Sequence, residues 1–438
     1  MRAIRNAALI LSSILTLCNC GTLSPNLQQI YQSTAQSKHP PVILIHGAFG
    51  ARLCDVNGNE KWPGSISKLL FGNYADLALD SAVTLSPCGI TDKIAGFDYY
   101  ATVEKTLLTA GGYVASRPGR AITGSNRYYY RFEYDWRRDL QQTATELDKF
   151  VEKIRLDHKN PSLQVDIVAH SMGGLLTRYW LRYGTQDVLN DNAFPINNSG
   201  LKKARKVILL GTPNFGSVSA LQQLLNGAPV GINQIPAQVL QSFPSGYQLL
   251  PHPLRNVVLS GKGKTLPRDI FDIDIWRALQ WGPFSLNRSN PHAYPTSAHT
   301  ERLYQYLERA RRFVWSLSVN NPDPAEQLIV FGGDCHRTPA RILIEDIGND
   351  SFVRLWPHEL TAPLAGVDYK ALMLEPGDGA VTKQSLLAKT ALDPLQTRHK
   401  YSYFPLHYAV MICEQHSRLP GNITFQDNLL HILLSPDQ

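Results

Sequence analysis

Residues 165–183 constrain the fold of this chain more than any other stretch. Val165–Asp166–Ile167–Val168–Ala169 is a short apolar run, Gly174 to Tyr183 has a helical pattern, and only His170, Ser171, Met172 and Gly173 separate them. A chain passes from strand to helix over so few residues only through a sharp, strained bend, which requires small neighbours. Ala169 and Gly173 stand at the two small positions, and Ser171 lies at the apex. The positive end of the following helix then lies beneath the serine, where negative charge on a reacting oxygen would be stabilised. Ser171 is therefore the candidate nucleophile, and the N–H of Met172 is one candidate oxyanion donor.

Other runs extend the pattern. Pro41–Val42–Ile43–Leu44–Ile45, Lys206–Val207–Ile208–Leu209–Leu210 and Gln327–Leu328–Ile329–Val330–Phe331 are largely apolar segments, the first running through His46 into Gly47 and the other two followed directly by glycine. Such runs read as strands buried on both faces, as in a parallel sheet covered by helices. Helical patterns between them, notably Thr143 to Leu156, give the alternation of a doubly wound α/β sheet. Residues 213–312 break the rhythm: they are rich in Pro, Gly, Gln and Asn with scattered aromatics. An insertion of that length reads as a cap or lid rather than a structureless loop. The expected organisation is thus 40–212 and 313–438 as two parts of one α/β core, with 213–312 as the cap.

The remaining chemistry should lie elsewhere in the chain. His46–Gly47–Ala48–Phe49–Gly50 follows the first buried strand, and its glycines allow backbone N–H groups to face a site. Ala48 or Phe49 is expected to supply the second oxyanion donor. For an acid and a base in the order Ser, Asp, His, the sequence offers Asp378, held between Gly377 and Gly379, with Asp334 as its competitor. His407, in the apolar setting Phe404–Pro405–Leu406–His407–Tyr408–Ala409, is the expected base. His336, His399 and His416 have polar neighbours and read as surface histidines. With Ser171, Asp378 and His407 as triad, the fold expected is that of an α/β-hydrolase. No cofactor and no metal are expected, because no ligand spacing of the His-Glu-x-x-His kind occurs.

Composition places the chain in a compartment more than in a class. It has 438 residues, 43% of them hydrophobic and 18% charged, and a formal net charge of +7. That charge is modest for the length, its basic runs are short, and nucleic acid is not an expected partner. Residues 1–20 begin with Arg2 and Arg5 and continue in an apolar run from Ala7 to Leu17. The run is about 11 residues where a membrane span needs roughly 20, so it reads as a signal peptide of an exported protein. Leu17 and Cys20 resemble a lipoprotein cleavage box, which makes Cys20 a lipidation candidate, with simple cleavage and release as the alternative; residues 21–39 read as a tether. No later stretch is apolar enough to span a membrane. Cys54, Cys88, Cys335 and Cys413 allow three pairings, of which Cys54–Cys88 would staple a local loop and leave Cys335–Cys413; free buried thiols are the alternative.

At these residues the chain resembles the lecithin:cholesterol acyltransferase family. Four motifs carry the likeness, in family order: Pro40 to Gly47, Tyr134–Asp135–Trp136–Arg137, Gly211–Thr212–Pro213–Asn214–Phe215–Gly216–Ser217, and Gly377–Asp378–Gly379–Ala380–Val381. The resemblance favours Asp378 over Asp334 as the acid. It implies acyl transfer from a phospholipid or glycerolipid ester through an acyl-enzyme, to water or to an alcohol, at a membrane or lipid-particle surface. It also implies that the loop between Cys54 and Cys88 contacts lipid, with Trp62, Leu69, Leu70 and Phe71 as contact residues. His46, Ala169 and Ala380 depart from commoner family residues, and the cap is not recognisable in detail, which leaves the substrate open. A general lipase or carboxylesterase, or a lipoprotein that binds lipid without turning it over, are the alternatives.

Overall fold

The computed structural model describes residues 24–32, 39–285 and 296–435, apart from 92, 95–96, 99, 123, 125, 322, 324, 349 and 389–403. The signal segment and Cys20 lie outside the described residues. At the centre is a seven-stranded sheet. In chain order its strands are β1 (Val42–Ile45), β2 (Tyr113–Ser116), β3 (Arg127–Phe132), β4 (Val165–His170), β5 (Ala204–Leu210), β6 (Leu328–Gly333) and β7 (Leu406–Ile412). Their spatial order is β7-β6-β5-β4-β1-β3-β2, and every neighbouring pair runs parallel. The buried runs expected from sequence supply β1, β4, β5 and β6, and β1, β4 and β6 are buried along their whole length. Parallel strands hydrogen-bond on both edges and pack helices on both faces, so such strands carry no polar alternation.

Helices α1 (Ala101–Thr109), α2 (Leu140–Asp157), α3 (Met172–Tyr183) and α5 (Ile423–Leu434) flank the sheet, and α4 (Ser297–Ser316) packs on α3, with Phe313 stacked on Tyr179, and on the short helix Pro244–Gln248. Helix α2 shows why: Leu140, Ala144, Leu147, Val151 and Ile154 recur on one face and are buried, and Asp139 caps it by accepting the N–H of Gln141. Helix α3 is buried on every face. It therefore places Arg182 inside the core, where the guanidinium pairs with Glu326 at 2.8 Å with both side chains fully buried. Removing either partner would strand a buried charge, at a cost of about 3–5 kcal/mol. The pair ties the helix behind Ser171 to the segment leading into β6.

The expected cap does contain short helices and a hairpin, Ala228–Val230 with Asn233–Ile235. It does not stand alone. Its strand Val258–Ser260 pairs in parallel with Ile342–Ile347, from the connection between β6 and β7, within a second, four-stranded sheet. Part of the expected tether also belongs to the fold: residues Leu27–Tyr31 form a short helix, and the Tyr31 hydroxyl reaches the Asp427 carboxylate on α5 at 2.8 Å. The apolar Leu27 and Tyr31 side chains are buried against the core, which a purely polar spacer would not achieve. Disulfides join Cys54 to Cys88 and Cys335 to Cys413. Among the described residues no helix is long and apolar enough to cross a membrane.

Candidate active site

The site forms where β1, β4, β6 and β7 end. Strand β4 stops at His170, Ser171 takes φ 54° and ψ −125°, and α3 begins at Met172. This left-handed backbone is costly for a residue with a side chain. It is held by the Ser171 N–H, which donates to the Leu210 carbonyl at 2.8 Å. The small neighbours have a measurable reason. A Cβ at Gly173 would lie 2.4 Å from the His46 carbonyl oxygen, and one at Gly47 would lie 2.7 Å from the Ser171 Cβ. The bend and the turn after β1 are packed too closely for any larger residue.

The imidazole beside Ser171 is that of His416. Its Nε2 lies 2.9 Å from Ser171 Oγ, and its Nδ1 lies 2.8 Å from Asp378 Oδ2. His407, expected as the base, is brought nowhere near them. It sits exposed at the start of β7, with roughly 16 Å of extended chain between it and the strand's C-terminal end. In a parallel sheet the site lies beyond the C-terminal ends of the strands, so a histidine entering a strand is at the wrong end. The signal that points to His416 was present: the apolar run Tyr408 to Ile412 ends at Cys413, and His416 is the first histidine after it. Polar neighbours mark the loop that carries it rather than an idle surface residue.

Asp378 is fixed by its own turn. Its Oδ1 accepts the N–H groups of Ala380 (2.9 Å) and Val381 (2.7 Å), leaving Oδ2 for His416. Its carbonyl accepts the His416 N–H at 2.9 Å, so the loops that bear Asp378 and His416 are joined by backbone as well as side chain. Thr338 Oγ1 accepts the Gly379 N–H, and Ser217 Oγ donates to the Ala380 carbonyl. The competing Asp334 pairs instead with Lys383 at 2.8 Å. Burial opposes a charged His416, but the carboxylate of Asp378 and its hydrogen bond outweigh this and raise the His416 pKa above its ordinary value.

Two of the sequence motifs act as braces. Tyr134 stacks on His46 with ring centroids 4.1 Å apart, and its hydroxyl donates to the His46 carbonyl at 2.8 Å. Burial, opposed by hydrogen bonds to Gly47 and Tyr134, lowers the His46 pKa to about 4, so the ring is a neutral strut. Trp136 donates to the Ala51 carbonyl, and Arg137 pairs with Asp135 while reaching the Leu77 carbonyl. In the turn after β1, the N–H of Gly47 goes to the Tyr100 hydroxyl and that of Gly50 to the Gly47 carbonyl. Ala48 and Phe49 lie between them, and the Phe49 carbonyl is pinned by the Trp62 indole N–H at 2.9 Å. Met172 opens α3, where the first N–H groups of a helix have no acceptor within the helix.

The loop closed by Cys54–Cys88 differs from expectation in which residues it shows to solvent. Trp62 is buried, packed against Phe49 and Trp136, because its indole N–H finds its acceptor inside; Leu69 is half-buried against the core. Leu70 and Phe71 are exposed, at 40% and 83%, and with them Ile66 at 77% and Ile232 of the cap hairpin at 82%. Ile66–Phe71 form a short helix, and Asn233 holds the hairpin to it by donating to the carbonyls of Lys68 and Gly72. Among the described residues, no group of His, Cys, Asp and Glu is arranged to hold a metal.

A family model described as lecithin:cholesterol acyltransferase matches residues 91–318, just over half of the chain. No curated protein matches the sequence at a significant level. Among solved structures, the chain is similar to the crystal structure of the Tle4–Tli4 complex at 13% identity, with 90% of this chain and 98% of that chain covered and a TM-score of 0.56. It is also matched to lipase BlEst2 of Bacillus licheniformis in mature form (13% identity, 92% and 94% covered, TM-score 0.35). A third match is lipase 1 from Pelosinus fermentans (14% identity, 92% and 100% covered, TM-score 0.36). Structural likeness at such identities bears on the fold alone, and only the first is close enough in shape to do so.

Proposed function

Because the chain belongs to the lecithin:cholesterol acyltransferase family and has the α/β-hydrolase fold, it acts on lipid esters as an acyl hydrolase or acyltransferase, and we propose that Ser171 carries the acyl group. The observation that supports this reading is the unbroken chain of polar atoms from Ser171 Oγ through His416 to the buried Asp378 carboxylate. A serine hydroxyl is a weak nucleophile until a base accepts its proton. His416 Nε2 takes that proton as Ser171 Oγ bonds to the ester carbonyl carbon. Asp378 keeps the proton on Nδ1 and stabilises the imidazolium. The tetrahedral oxyanion is met by the N–H of Met172 and that of Ala48 or Phe49. Its collapse breaks the ester bond, and His416 returns the proton to the departing alcohol. Water or a second alcohol then takes the acyl group by the same steps in reverse.

The surroundings are mostly apolar, as the first carbons of an acyl chain and an interfacial substrate require. A cavity of about 40 Å³ adjoins the oxyanion turn, lined by Ala48, Phe49, Met172, Leu240, Phe243 and Leu249. The exposed Ile66, Leu70 and Phe71 of the disulfide-closed loop, with Ile232 of the cap hairpin, form the face through which the enzyme meets a lipid surface.

The test is incubation with phosphatidylcholine vesicles, with and without cholesterol, followed by lipid analysis. Free fatty acid alone identifies a hydrolase; a new sterol ester identifies a transferase. Ser171→Ala should lower either product by roughly 10³-fold or more while the protein stays folded. It should also abolish labelling by a fluorophosphonate. Near-normal turnover by that variant would remove Ser171 from the mechanism.

A further inference from the structure

Strands β1, β4 and β7 each contribute one loop to the site, and one buried hydrogen-bond chain connects all three. It starts at the Gly47 N–H, in the turn that bears Ala48 and Phe49, which donates to the Tyr100 hydroxyl at 2.9 Å. The same hydroxyl lies 2.9 Å from Nδ1 of His170, the residue before Ser171. The other ring nitrogen, Nε2, lies 3.3 Å from the backbone carbonyl of His416. The direction of the chain follows from its ends. A carbonyl can only accept, so His170 Nε2 carries the hydrogen and Nδ1 is the bare nitrogen. The Tyr100 hydroxyl therefore donates to Nδ1, which leaves its oxygen lone pairs for Gly47.

We infer that Tyr100 and His170 are positioning residues that set the oxyanion turn, the nucleophile and the base in register with one another. The inference rests on the reading of Ser171 and His416 given above. Several features support it. Tyr100 and His170 are both buried, so water does not compete for these bonds. The rings of His170 and His416 lie 5.0 Å apart, so a shift of one is felt by the other. Burial, and the proximity of His416, hold His170 well below its ordinary pKa. It stays neutral, as a donor at one nitrogen and an acceptor at the other. Tyr100 comes from the residue before α1, outside all three loops, and so relates them to a fixed helix.

Removing a link leaves buried donors and acceptors unpaired and lets the loops drift, which acts on the transition state rather than on lipid binding. The experiment is steady-state hydrolysis of a soluble p-nitrophenyl ester, with thermal melts of each variant. Tyr100→Phe and His170→Leu should each lower kcat by about tenfold to a hundredfold with KM changed less than about twofold. His170→Gln, whose amide can both accept and donate, should recover most of the loss. The double variant Tyr100→Phe/His170→Leu should lose no more than the worse single variant, because one chain is broken once. Wild-type kcat in Tyr100→Phe, losses confined to KM, equal loss in His170→Gln and His170→Leu, or additive losses in the double variant would each overturn the inference. Ser171→Ala serves as the reference. If it is inactive while Tyr100→Phe is unaffected, the positioning role fails and the nucleophile stands; if Ser171→Ala is active, both fall.

Discussion

Ser171 and His416, the proposed nucleophile and base, lie 2.9 Å apart but are held by opposite means. Ser171 is placed by local backbone: a positive φ, a strand ending one residue before it and a helix beginning one residue after. His416 lies in a loop beyond β7, and its position depends on residues far away in sequence. The Asp378 carbonyl and carboxylate grip it, and the Cys335–Cys413 disulfide fastens the base of its loop to the end of β6. The comparison teaches that strain leaves a mark in sequence and long-range support does not. A bend of this kind excludes all but small neighbours, so Ala169 and Gly173 announce it. A loop held by partners elsewhere can have almost any composition.

The largest test of that comparison is the pair of histidines. His416→Ala should lower ester turnover by roughly 10³–10⁴-fold, and His407→Ala should leave it within about twofold, measured as kcat/KM on one substrate. The reverse ranking would return the base to the strand. The aspartates give a smaller contrast. Asp378→Asn is expected to cost about 10³-fold or more, because the amide cannot hold the imidazole in the needed tautomer. Asp334→Asn, which removes only a partly exposed pair with Lys383, should change kcat less than about threefold.

The smallest effect is in pH dependence. The base must be neutral to accept the Ser171 proton, and Asp378 raises the His416 pKa by favouring the imidazolium. Activity should therefore fall as pH drops through a value above the ordinary 6.5 of histidine. In Asp378→Asn the residual activity should show that limb moved to lower pH. A limb in the wild-type enzyme below 6.5 would mean that the carboxylate does not govern the ring.

Most of the sheet could be read directly, because strands buried on both faces must be continuously apolar. The elements missed were those whose signals are mixed. Strand β2 is short and lies at an edge, with Val114 and Ala115 exposed, so it has no apolar run to read. The parallel pairing of Val258–Ser260 with Ile342–Ile347 joins segments some eighty residues apart, and no local pattern announces such a partner. The residues expected to contact lipid divide in the same way. The family resemblance implied Trp62 and Phe71 alike, but burial of the indole against Phe49 and Trp136 separates them.

The sequence by itself determined the parallel α/β core, the bend at Ser171, the glycine turn after β1 and the aspartate in its own turn at 378. Each of these is a local demand on residue size or polarity that few other residues meet. Only the tertiary structure decided which histidine completes the chain and which residues brace it. A histidine 245 positions from the serine becomes its neighbour through the order of strands in the sheet, which contact geometry fixes and local composition does not encode.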